Sequence, residues 1–347
     1  MYVCLKGDSA LEIHSPQSYC TKQQLSYTNG TFAYRSHLKQ RIKVLIFRTR
    51  SSIMVSMNRL DSAKRSEIVR CLVEGCSIRT TVRMTGASKN TIAKLLVELG
   101  NVCETFMDEK MRNLPCKRIQ ADEIWSFVGA KAKNVKPHHL EDGGYAGDVW
   151  TWTAIDAETK LVPSFMLGSR DADTARNFME DLASRLANRV QLTTDGHKAY
   201  LTAVDKAFGE DIDYAMLVKV YGIDPQGEKR YSPAICTSCE SKPVTGTPDP
   251  AHINTSYVER QNLTMRMSMR RFTRLTNAFS KKLENHAAAV ALYFMWYNFG
   301  RVHQTLKMTP AMKAGIANHA WSVDEVIGLL KAVEPITTRA AKAKISN

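Results

Sequence analysis

Arg118-Ile-Gln-Ala-Asp-Glu-Ile-Trp-Ser-Phe-Val128 is the stretch at which the periodicity of the chain changes. Ile, Trp, Phe and Val favour a pleated, half-buried backbone, so this is a strand. In its middle stands Asp122, and an ionised carboxylate inside an apolar strand is costly unless it is paired or bound to a cation. Beyond Val128 the chain alternates between strand and helix patterns. Residues 149–155 and 161–167 read as strands and 171–187 as an amphipathic helix. Residues 190–194 form a strand that ends in Asp195-Gly196, 200–208 a helix and 214–221 a strand. That order predicts an α/β domain with a mixed five-stranded sheet flanked by helices.

Working upstream, 60–110 carries helical spacing. Asp61 or Ser62 caps a first helix with Ile68, Val69, Leu72 and Val73 on one face, and Gly75 ends it. Ser77 caps a second helix over 78–84, and Thr85-Gly-Ala-Ser88 is the turn. Ser88 then caps a third helix over 89–99, ended by Gly100, with 101–112 as a helical connector. Residues 57–112 thus match an all-α helix-turn-helix domain in front of the sheet. Ser88, Lys89, Asn90 and Thr91 would face bases and Lys94 a phosphate. A small helical bundle used for dimerisation has the same pattern. Residues 1–56 read as a poorly structured arm, and Met57 is a candidate for the true translation start.

Working downstream, 222–256 is rich in Gly, Pro, Ser and Thr and reads as a loop insertion of functional length. Within it, Cys236-x-x-Cys239 has metal-ligand spacing with His252 as a third candidate, but a structural zinc site takes four ligands. Residues 283–297 are apolar nearly all round, as in a buried helix. The segment 316–347 begins a C-terminal helix at the capping-box-like Ser322-Val-Asp-Glu325 and ends in a basic tail.

Forty-eight basic residues stand against 34 acidic ones, for a net charge of +14. That balance favours an anionic partner, nucleic acid before membrane. The absence of eighteen consecutive apolar residues or a signal-like start points to the cytoplasm and away from a membrane.

Three acids stand out by position: Asp122 inside the first strand, Asp195 at the end of the fourth, and Glu259 at the start of a late helix. Chain order lets them converge at one sheet edge, where clustered carboxylates stay ionised only beside cations. Hard oxygen donors suit Mg²⁺ or Mn²⁺, and two ions about 3.5–4 Å apart clamp the oxygens of a phosphoryl transfer. Glu123, Asp148, Asp156, Asp171 and Asp173 compete for the same role. Past Glu259 come Arg266, Arg270, Arg271 and Arg274, a basic run suited to a DNA backbone.

Four motifs in order then carry a resemblance. Ala121-Asp-Glu-Ile-Trp125, Thr194-Asp-Gly-His-Lys-Ala-Tyr200 and Ser256-Tyr-Val-Glu-Arg-Gln-Asn262 resemble the acid motifs of bacterial insertion-sequence DDE transposases. Tyr297-Asn-Phe-Gly-Arg-Val-His303, followed by Thr309-Pro-Ala311, resembles their C-terminal signature. The wording is most similar to the group typified by insertion sequence 1. The resemblance implies a ribonuclease H-like fold over 117–315, with Asp122, Asp195 and Glu259 as the catalytic, metal-binding triad. It implies a transposase that cleaves element ends and transfers strands into target DNA, acting on double-stranded DNA as a homo-oligomer, with a dimer expected. Arg266 matches the family's basic residue two helical turns past the acid, and Tyr257, Asn262, Arg301 and His303 match further positions, His303 as a DNA contact. The N-terminal zinc-finger cysteines of some relatives have no counterpart here. A ribonuclease H-like nuclease without strand transfer and an inactive DNA-binding regulator are the rival readings.

Overall fold

A computed structural model of the protein describes residues 60–140, 145–222, 236–273 and 277–332. The arm 1–56 with its candidate start at Met57, Arg274, and the basic tail lie outside the described residues.

The helical block begins as its capping residues dictate. Asp61 caps α1 (Ser62–Val73), its Oδ1 accepting from the Lys64 amide at 2.6 Å. Ser77 caps α2 (Ile78–Thr85) and Ser88 caps α3 (Lys89–Lys110), through amide bonds from Thr80 at 3.0 Å and Thr91 at 3.1 Å. Each bond satisfies one of the amides that a helix start leaves without a partner.

The third helix departs from expectation. It does not stop at Gly100 but runs from Lys89 to Lys110 without a break. Glycine costs about 1 kcal/mol against alanine inside a helix, and here close packing overrides that cost. A Cβ at Gly100 would lie 2.5 Å from the Cα of Ala288, on a helix that crosses at this point. Gly100→Ala therefore forces two helices apart and should cost about 1–3 kcal/mol, measured as a lowered midpoint of urea unfolding.

The sheet is formed by β1 (Arg118–Val128), β2 (Gly147–Asp156), β3 (Ser164–Gly168), β4 (Gln191–Asp195), β5 (Asp213–Tyr221) and β6 (Cys236–Thr245), in the order β3-β2-β1-β4-β5-β6. β1, β2 and β3 pair antiparallel, β4 and β5 run parallel to β1, and β6 runs antiparallel to β5. The first five strands have the order and directions of the ribonuclease H-like fold. The expected five-stranded sheet is thus corrected to six, and part of the expected loop 222–256 is a strand. That strand, Cys-Thr-Ser-Cys-Glu-Ser-Lys-Pro-Val-Thr, is exposed almost throughout. It has no buried face to impose alternation; backbone pairing to β5 forms it. Its proline and its charges are what an edge strand tolerates.

Helices α4 (Ala172–Ala183) and α5 (Ala199–Phe208) connect β3 to β4 and β4 to β5, burying Phe178, Met179, Leu182, Tyr200 and Val204. α6 (Ser256–Ser268) packs on β1 and β2. α7 (Leu283–Met295) is buried along most of its length, packs against α3 and continues into a π-helical turn at Trp296–Gly300. After α8 (Pro310–Lys313), α9 (Val323–Ala332) returns to the helical block, where Asp324 accepts a bond from Ser66 on α1. Phe106, Phe299 and Trp321 close this junction with ring centroids 4.9–5.4 Å apart. The expected capping box forms: the Glu325 amide donates to Ser322 Oγ at 3.2 Å and the Ser322 amide to Glu325 Oε2 at 2.8 Å. Among the described residues, no helix is long and apolar enough to cross a membrane.

Candidate functional site

β1 and β4 pair in parallel up to Ala121 and Thr194. The next residue on each strand is an aspartate, so register alone brings Asp122 and Asp195 side by side. β4 stops there. Successive strand residues point to opposite faces, which sends Asp122 toward α6 and Glu123 toward α5. The Asn262 amide on α6 donates to Asp122 Oδ2 at 2.8 Å, and the Glu123 backbone amide donates to Asp122 Oδ1 at 2.8 Å. On the other face Glu123 accepts from Tyr200 Oη at 3.0 Å and from Arg170 Nε. The Arg170 guanidinium also lies 3.6 Å from Asp195, whose Oδ1 accepts from the His197 amide at 3.0 Å.

Carboxylate oxygens of Asp122, Glu123 and Asp195 lie within 4.8 Å of one another. Glu259 stands outside this group of three. It sits in the first turn of α6, its carboxylate accepting from Thr255 Oγ1 and paired with Lys219 Nζ on β5. Its charge still reaches Asp122.

The electrostatics follow from this crowding. Burial, then the charges of Glu123 and Asp195, push Asp122 up to about 7. Burial also raises Glu123, with Asp195 adding to it and the bonds from Arg170 and Tyr200 opposing it. Burial, followed by Arg170, lowers His197. A carboxyl raised to about 7 marks a site in which positive charge is short.

The expected DNA contacts are spread over the molecule. Ser88, Lys89 and Asn90 are exposed at the start of α3, Thr91 is half-buried, and Lys94 is exposed 3.8 Å from Glu98. Arg266 is half-buried in the last turn of α6 and Arg270 is exposed. Arg271 turns inward and donates to Ser280 Oγ at 2.8 Å. Ser280 also bonds the buried His286, whose other ring nitrogen meets Ser126 on β1. His303 is half-buried, its pKa lowered by burial and then by Lys160 and Arg301. Cys236 and Cys239 are exposed on β6 with sulfurs 3.7 Å apart. Among the described residues, neither joins a group of three candidate ligands.

Arg170 and Lys219, which pair with site carboxylates, carry no motif in the sequence. Glu123 is visible there only as a competing acid beside Asp122.

No family model matches the chain. It is 26% identical to the insertion element iso-IS1n protein InsB of Shigella dysenteriae over 180 residues, which cover 52% of this chain and 95% of that protein. Among solved structures, a piggyBac transposase synaptic complex with hairpin DNA gives a TM-score of 0.36 at 11% identity, covering 88% of this chain and 80% of that one. A Mos1 transposase paired-end complex gives 0.19 at 13% identity, covering 55% and 69%. In sequence, the chain is accordingly similar to the insertion-sequence transposases that its motifs resemble.

Proposed function

We propose that the chain is a DNA transposase, a polynucleotidyl transferase that cleaves the ends of an insertion element and joins them to target DNA. One observation carries the reading: Asp195, at the end of β4, meets Asp122 on the adjacent parallel strand β1, in a chain similar to an insertion-element protein. Residues 57–112 serve as the DNA-reading part and 117–315 as the catalytic part. Ser88, Lys89, Asn90, Thr91 and Lys94 meet the element end, and Arg266, Arg270 and His303 meet the backbone near the acids.

Asp122, Asp195 and Glu259 would hold Mg²⁺ or Mn²⁺, as one or two ions. The residues fit such a group: the donors are hard oxygens, Asp122 is held up to about 7 by burial and neighbouring negative charge, and Asn262 Oδ1 is buried without a partner. A divalent ion bound there supplies Lewis-acid polarisation of the phosphoryl group. The chain's own residues do the rest. Asn262 orients Asp122, Lys219 and Thr255 hold Glu259, and Arg170 balances the charge of Glu123 and Asp195. Pre-positioned groups of this kind lower a barrier without reorganising during the reaction.

The test is a strand-transfer assay with pre-cut element ends and Mg²⁺ or Mn²⁺. Joined product is expected. Nicking without joining would favour a nuclease, and binding without either would favour a regulator. Glu259→Gln should lower joining by on the order of 10²–10³ while leaving DNA affinity in a gel-shift titration nearly unchanged.

A further inference from the structure

Past Asp122, β1 loses β4 as a partner and continues beside β2 to Val128. Six residues at about 3.3 Å each carry this ribbon roughly 20 Å beyond the acids. Its face on the Glu123 side is aromatic. Trp125 and Phe127 are half-buried there with ring centroids 5.7 Å apart, and Trp150 lies across from Trp125 in register.

A second segment extends the row. Val128 bridges to Ser280, and the Gly129 amide donates to the Ser280 carbonyl at 2.8 Å. That contact sets Phe279 against Phe127, centroids 4.7 Å apart. Cations line the same rings. The Lys131 ammonium lies 5.6 Å from the Trp125 ring and 5.8 Å from that of Phe127. Lys281 lies 3.4 Å from the Phe279 ring.

We infer that this ribbon is a stacking platform for single-stranded DNA, holding unpaired bases that lead away from the acidic cluster. The inference rests on the transposase reading for the origin of those bases. The chemistry itself is local. Every base has a π-face, so a row of aromatic rings binds single strands whatever their sequence, and interleaved lysines meet the phosphates. A helical cover would bury these rings, and a protein partner has no need of ammonium groups along them. A row of rings with ammonium groups on it fits a flexible polyanion.

The test uses the full-length chain in EDTA, so that no DNA is cut, with a labelled twelve-residue oligothymidylate read by fluorescence anisotropy. Trp125→Ala should weaken binding about 5- to 150-fold, the value of one base–aromatic stack, whereas Trp125→Phe should restore most of it. Lys131→Glu and Lys281→Glu, which change no core residue, should also weaken binding and reduce its dependence on salt. These two keep the test open if Trp125→Ala fails to fold. Unchanged oligothymidylate affinity in folded Trp125→Ala and in the two lysine variants would overturn the platform. So would a change in oligomeric mass by light scattering with no change in affinity, since the strip would then be a contact between copies. A parent protein that binds oligothymidylate through these residues yet joins no DNA ends supports the platform and overturns the transposase reading alone.

Discussion

Asp122→Asn should abolish end cleavage and strand transfer, by on the order of 10³ or more, while making the metal-free protein more stable at neutral pH. The two effects share one cause. Asp122 is raised to about 7 by burial and by Glu123 and Asp195. An acid whose pKa is raised on folding binds its proton more tightly in the folded state. Its contribution is therefore most favourable at acid pH and is lost as pH climbs from the unfolded value near 4 through about 7. Asparagine has no charge to bury; it keeps an oxygen for the Glu123 amide, and its own amide can donate to Asn262 Oδ1 once the Asn262 side chain turns over. In EDTA at pH 8 the variant should gain on the order of 2–4 kcal/mol over the parent in urea unfolding. At pH 4 the difference should vanish. Mg²⁺ should then stabilise the parent and leave the variant nearly unmoved, because only an ion bound to the folded state shifts the equilibrium. A variant that is less stable than the parent at pH 8 would mean that Asp122 is not held against its charge.

Arg170→Ala is the counterpart on the other face of β1. The Glu123 side chain is 1% exposed, and Arg170 is the cation that pairs with it. Arg170 is itself 39% exposed, so removing it leaves a buried carboxylate short of one partner, at a cost that solvent trims to about 1–3 kcal/mol. Glu123 escapes that cost only by taking up a proton, which burial and Asp195 already favour. The loss should therefore grow as pH rises and shrink as pH falls. Arg170→Ala combined with Glu123→Gln should recover most of it, because the buried charge is gone. Equal losses for the single and double variants at every pH would place the role of Arg170 elsewhere, in its contact with the Trp150 ring at 4.9 Å. Strand-transfer activity should fall as well, since the same guanidinium faces Asp195.

Parts of the molecule whose physics is local were legible in the residues alone. Caps at Asp61, Ser77 and Ser88 fixed three helix starts, because a side-chain oxygen beside orphan amides acts within one turn. β-branched and aromatic runs fixed β1, β2 and β5. The motifs around Asp122, Asp195 and Glu259 pointed to an acidic site at a sheet edge. Features that depend on a neighbour distant in the chain emerged only on folding. α3 passes through Gly100 because Ala288 crosses there. β6 exists because β5 offers it an edge, not because its residues alternate. Glu123 joins Asp122 and Asp195 in the tight group while Glu259 turns to Lys219. Charge placement is set by the sum of distances to every other charge. Those distances are fixed only when Arg170 and Lys219, from a loop and from β5, arrive at the carboxylates of Glu123, Asp195 and Glu259.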